Sequence, residues 1–228
     1  MRTLPLSLFG LCLLVVSWLP AQDAPVVSLS FTSLSWQKMI KDVRIRNADG
    51  EATKLWIPNG SPSKTYEYTG TLPLRFFRET GQDAEGRPIE QTVAEYSPNG
   101  SGANQMLIFI RNDRNGREYY RILPLGFDPD GIGENAYRFV NLSEFPVYVK
   151  FGEDRFMLNT RGEKTLLADV PESGGQGVAM AIQVSEQPND VKVVYSSSWS
   201  IRQGRSALIF LTTDPDEKDQ IQVKKLYF

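Results

Sequence analysis

Gln105-Met106-Leu107-Ile108-Phe109-Ile110-Arg111-Asn112-Asp113 returns 101 positions later as Ser206-Ala207-Leu208-Ile209-Phe210-Leu211-Thr212-Thr213-Asp214. Other segments recur in the same order. Tyr120–Leu125 parallels Val223–Phe228 at an offset of 103, Val43–Asn47 parallels Tyr137–Asn141 at 94, and Pro73–Glu79 parallels Met180–Glu186 at 107. Ordered matches at similar offsets are the mark of a tandem duplication with loop insertions. The chain therefore solves one folding problem twice.

The repeated unit is made of strands. Asn59-Gly60, Asn99-Gly100, Asn115-Gly116, Gly152 and Gly162 supply turns between short runs of Val, Ile, Phe and Tyr. Val178, Met180, Ile182 and Val184 alternate with small or polar residues, the period of a half-buried strand. Val147–Phe151, Val191–Tyr195 and Ile221–Tyr227 also read as strands, and Val43 and Ile45 suit a strand better than a helix. Met106–Ile110 and Ala207–Leu211 are apolar throughout, as central strands buried on both faces are. The fold class is all-β: two tandem immunoglobulin-like or transthyretin-like β-sandwich domains of about seven strands each, related by internal duplication. The expected division is 22–125 and 136–228. Gly126–Asn135, with three Gly, one Pro and three acids, forms the linker.

Residues 1–21 read as a secretory signal peptide. Arg2 gives the basic start, Leu4–Trp18 the apolar core, and Ala21 the small residue at the cut. The apolar core is shorter than the ~20 residues a membrane-spanning helix needs. Cys12, the one Cys, lies inside it, and Leu11 before it does not suit a lipoprotein cut. The mature chain would then hold neither Cys nor His and have no membrane span. A periplasmic, cell-surface or secreted location follows.

That composition excludes His-based triads, His-ligated zinc and disulfides. With 25 basic and 27 acidic side chains, the charge is −2, which argues against nucleic acid as a partner. No cofactor is expected.

The opening of the second half is similar to secreted bacterial repeats of the DUF4397 type. It runs Tyr137-Arg138-Phe139-Val140-Asn141-Leu142-Ser143, then Val147-Tyr148-Val149, with Gly152 at the hairpin. Those repeats begin with an Arg-containing strand and a "His-or-Asn, small, Ser" turn. Their Pro-Ala-Gly-like segment is loosely matched by Val170-Pro171-Glu172-Ser173-Gly174-Gly175. The resemblance implies an exported β-sandwich with no assigned catalysis.

Candidate sites are few. Asp128, Asp130 and Glu134 form the densest oxygen cluster and could hold a metal such as calcium. An EF-hand register would place acids at 126 and 137, where Gly126 and Tyr137 stand, so a solvated turn is the simpler reading. Asp214, Asp216, Glu217 and Asp219 read as a hairpin tip. A Ser nucleophile in Ser196–Ser198 would need a Lys base, and no motif pairs two carboxylates. Trp36, Trp56, Tyr66, Tyr68 and Trp199 could stack on a glycan if exposed, with Tyr66 and Tyr68 on one strand face; sandwich cores use such rings as well. The C-terminal Phe228 suggests a membrane barrel, but Lys224 and Gln222 break the lipid-facing alternation. The resulting expectation is a non-catalytic protein with a structural or protein-binding role in the envelope, with a carbohydrate-binding module as the alternative.

Overall fold

The computed structural model describes residues 25–98, 104–112, 116–128, 132–170, 175–183, 190–214 and 216–228. The signal segment, Asn99-Gly100, Asp130 and Val184 lie outside them. Among the described residues all regular structure is strand.

The first half contains β1 (Val26–Ser35), β2 (Ile40–Arg46), β3 (Ala52–Ile57), β4 (Tyr66–Thr71), β5 (Leu74–Gln82), β6 (Pro88–Tyr96), β7 (Gln105–Arg111) and β8 (Tyr120–Gly126). The second contains β9 (Ala136–Asn141), β10 (Val147–Phe151), β11 (Asp154–Leu158), β12 (Glu163–Leu167), β13 (Gly175–Gln183), β14 (Val191–Ser200), β15 (Ala207–Thr213) and β16 (Ile221–Tyr227). Among the described residues each half therefore has eight strands, one more than the turn spacing suggests.

The sheets run β4-β1-β7-β8 and β3-β2-β5-β6 in the first half, and β12-β9-β15-β16 and β11-β10-β13-β14 in the second. Adding eight to every strand of the first half gives the second. In both, one pair is parallel, β1 with β7 and β9 with β15. The halves share one topology. An immunoglobulin sandwich puts its first, second, fourth and fifth strands in one sheet. Here the first, fourth, seventh and eighth share one, so the strand order is not the immunoglobulin one.

Three apolar clusters hold the molecule. One fills the first sandwich around Phe31, Phe76 and Phe109, and a second fills the other around Phe139, Phe151 and Trp199. The third joins the halves. Leu34, Met106 and Ile108 of the first half meet Val140, Leu208, Phe210 and Leu226 of the second. Sheets β4-β1-β7-β8 and β12-β9-β15-β16 thus pack back to back, which makes four layers. This explains the continuous runs in β7 and β15. Alternate side chains enter the sandwich core and the junction, so both faces are buried. Phe127 and Ile132, in the expected linker, also pack into the junction.

The structure corrects the register of the repeat. Trp36 N donates to Phe109 O at 2.9 Å, and Leu142 N donates to Leu211 O at 2.7 Å. Phe109 therefore corresponds to Leu211, not to Phe210. Phe109 lies in a sandwich core, whereas Phe210 lies in the junction. A one-residue slip moves a strand side chain to the opposite face, and a run apolar at every position hides the slip. The match of Pro73–Glu79 with Met180 onward finds the right strands, β5 and β13. It is three residues out: the bulge after Phe76 matches the bulge after Met180, so core-facing Leu74 corresponds to core-facing Val178, not to Ala181. Tyr120–Leu125 with Val223–Phe228 finds β8 and β16 two residues out, since Gly126 and Tyr227 hold equivalent ladder positions. The match of Val43–Asn47 with Tyr137–Asn141 pairs β2 with β9, whose true counterpart is β1.

Candidate functional site

The five candidate rings do not share a face. Trp199 is buried, stacked on Phe139 at 6.1 Å between centroids, and donates from Nε1 to Tyr195 OH at 2.8 Å. Tyr66 and Tyr68 do share a strand face, but it points into the first core. Both hydroxyls are engaged by the backbone: Tyr66 OH accepts from Trp56 N at 2.7 Å, and Tyr68 OH donates to Thr71 O at 2.6 Å. Trp36 packs edge-on against Phe210 in the junction, with centroids 5.5 Å apart. Trp56, 51% exposed, is the open ring of the five.

Asp128 and Glu134 are exposed, and Asp130 lies outside the described residues. Among the described residues no three acids, His or Cys come together to hold a metal ion. Asp214 is committed to its own hairpin: its carboxylate accepts from Asp216 N at 2.8 Å and Gln222 Nε2 at 2.9 Å. Those bonds, the one from Asp216 foremost, hold its pKa below the usual carboxylate value.

A polar cluster that the sequence did not single out joins the two sheets of the first sandwich. Arg78 of β5 and Tyr120 of β8 both donate to the carboxylate of Glu118. The hydrogen bond from Tyr120, then that from Arg78, lowers the Glu118 pKa. Burial and the neighbouring Glu118 carboxylate push Tyr120 up to about 12. Glu118 stays charged and Tyr120 stays protonated near neutrality, so neither suits proton transfer there. The cluster is a clasp.

The two outer sheets differ sharply. That of the first sandwich carries ion pairs: Arg44 with Glu79 at 3.2 Å, Arg75 with Glu95 at 3.5 Å, and Arg46 with Glu90. On the second, strand alternation sends Val147, Val149 and Phe151 of β10 inward and Tyr148 and Lys150 outward. Register then sets Met157, Tyr148, Ala181 and Val193 side by side across β11, β10, β13 and β14. Arg155, Lys150, Ala179 and Ser196 form the adjacent row. Between the rows lies an open groove of 440 Å³ floored by Ala179 and Ala181. Tyr148, Met157 and Val193 are 37%, 48% and 63% exposed. The sequence showed β10 as a strand. The rest of this surface comes from register, which no single segment reveals.

At the edge of this sheet, β14 pairs with β13 and, among the described residues, with no other strand. Its one charge, Lys192, is held by Asp219. No protein-family model matches the chain, and no curated protein does. No helix among the described residues is long and apolar enough to cross a membrane.

Proposed function

We propose that this is an exported, non-catalytic β-sandwich protein with a protein-binding role in the cell envelope, and that it takes its partner by strand addition along β14. One observation carries this reading: Val193–Ser200 is a long edge with no charge and no proline, and beyond the bulge at Val194 it runs regularly from Tyr195 to Ser200. Natural edge strands are guarded by charges, prolines or brevity, because an open row of backbone groups recruits other chains. The other edges are shorter or carry such guards: β3 and β4 are six residues long, with Lys54 and Glu67. β6 begins at Pro88 and carries Glu90 and Glu95, β8 has Arg121 and Pro124, and β16 has Lys224 and Lys225. β11 and β12 are five residues long and charged. An added strand would gain backbone hydrogen bonds along β14 and meet Val191 and Val193, both exposed.

The signal-like segment and the likeness of residues 137–152 to exported repeats support the envelope location.

The test is a selection of extended peptides from a displayed library, followed by amide hydrogen exchange. Bound peptide should protect β14 amides, and Ser197→Lys with Ser198→Lys should abolish binding while leaving the thermal midpoint nearly unchanged. Binders whose protection falls on another element, or that ignore the lysines, would refute strand addition.

A further inference from the structure

We propose that the groove on the outer face of β11-β10-β13-β14 binds a single-chain carboxylate, with its head at Lys150 and Arg155 and its tail across Ala179 and Ala181 to Val193. This site uses side chains on the sheet face rather than the backbone edge of β14, and shares only Val193 with the strand-addition surface.

The shape favours one linear chain. Its walls are neighbouring side-chain rows, about 7 Å apart for two residues along a strand. Its length covers three strand spacings, about 14 Å. A volume of 440 Å³ lies in the range of small-ligand sites. Two alanines make the floor low, while Tyr148, Met157 and Val193 raise one wall. Their exposure leaves an apolar strip in water, which an acyl chain would cover.

The charge favours an anion at one end. Lys150 and Arg155 face each other across β10 and β11. Among the described residues neither has an ion pair, and none of the outward strand positions on this face is acidic. The corresponding face of the first sandwich pairs its arginines with glutamates. A second copy of this face would bring more cations and no acids, so self-association is the poorer fit. A carboxylate supplies the missing charge in a form that Arg can bind with two donors.

The test is calorimetric titration of the full mature chain with dodecanoate, kept below its micelle concentration. Dodecanol and butyrate serve as probes lacking the charge and the tail. Dodecanoate should bind saturably and shift the methyl NMR signals of Ala179, Ala181 and Val193. Lys150→Gln with Arg155→Gln should weaken it about tenfold or more. Ala181→Phe, which fills the floor from the solvent side, should abolish it. Circular dichroism and thermal midpoints confirm that both variants fold. The site is overturned if dodecanoate does not saturate, if dodecanol binds as tightly, if the glutamine variant binds unchanged, or if the shifted methyls lie elsewhere. Binding of an acidic peptide but not dodecanoate would assign the groove to a protein instead. The Ser197→Lys and Ser198→Lys variant should bind dodecanoate normally, so the groove and strand addition can fail independently.

Discussion

Lys224 of β16 reaches across the junction between the sandwiches and donates from Nζ to the carbonyl of Trp36 at 2.6 Å. It also donates to Ser35 O at 3.3 Å and lies 5.0 Å from the Trp36 ring centroid. Burial lowers its pKa below the ordinary 10.5. The unfolded chain then holds its proton to higher pH than the folded one. Stability gained from this group rises as pH climbs through the lowered folded value toward 10.5. In urea titrations, the stability of wild type relative to Lys224→Met should therefore improve between neutral pH and pH about 10. A pH-independent difference would show that the ammonium is not desolvated.

Phe210 should behave as a junction residue, not as the counterpart of Phe109. It is fully buried and sits edge-on to Trp36. Phe210→Ala should cost about 3–5 kcal/mol, the range for a buried Phe. Because the lost contacts join the two cores, it should also separate the unfolding of the halves into two calorimetric transitions. Phe109→Ala should destabilise the first sandwich at its centre, where Phe76 and Tyr120 meet it. If both variants melt in the same single step, the junction has no separate role.

Asn141 explains the Asn141-Leu142-Ser143 turn in physical terms. Its side chain is fully buried and donates to Phe145 O at 2.7 Å, Leu158 O at 3.1 Å and Asn159 O at 3.2 Å. Its Oδ1 accepts from Ser143 N at 3.0 Å and Ser143 Oγ at 2.6 Å. One amide thus ties the β9–β10 connection to the end of β11. Asn141→Ala would strand several buried backbone groups at once and should cost about 3 kcal/mol or more. Asn141→Asp should be no better, because a carboxylate cannot donate to the three carbonyls. Urea denaturation checks both. A loss under about 1 kcal/mol would mean that these groups find other partners.

Strand identity was legible where a run of Val, Ile, Phe and Tyr had one wet face, and missed in shorter or more polar strands such as β3, β11 and β12. Val147–Phe151 and Ile221–Tyr227 match β10 and β16 residue for residue. The duplication was legible too, because order survives loop insertions. Register was not. Met106–Ile110 and Ala207–Leu211 face two cores, so nothing in their composition marks which side chain points where. The outer groove was hidden for the opposite reason. Met157, Tyr148, Ala181 and Val193 lie far apart in the chain, and only the pairing of four strands makes them neighbours. The aromatic candidates misled because a ring's identity does not say whether it fills a core or faces a ligand.

Glu118 offers a test of the clasp at acid pH. Its folded pKa is lowered, chiefly by the hydrogen bond from Tyr120 and then by Arg78. A carboxylate of this kind contributes stability above its unfolded pKa, near 4.5, and loses it as pH falls through the lower folded value. The stability gap between wild type and Glu118→Gln should be constant at neutral pH and shrink below about 4.5. Tyr120→Phe removes the largest contribution and should bring the acid limb of the pH profile closer to that of Glu118→Gln. Arg78→Lys should keep part of the effect, since the charge remains but the guanidinium's link to both Glu118 and Tyr120 is lost. Urea midpoints across this pH range decide the matter. An unchanged gap at low pH would show that Glu118 is not held by its two partners in solution.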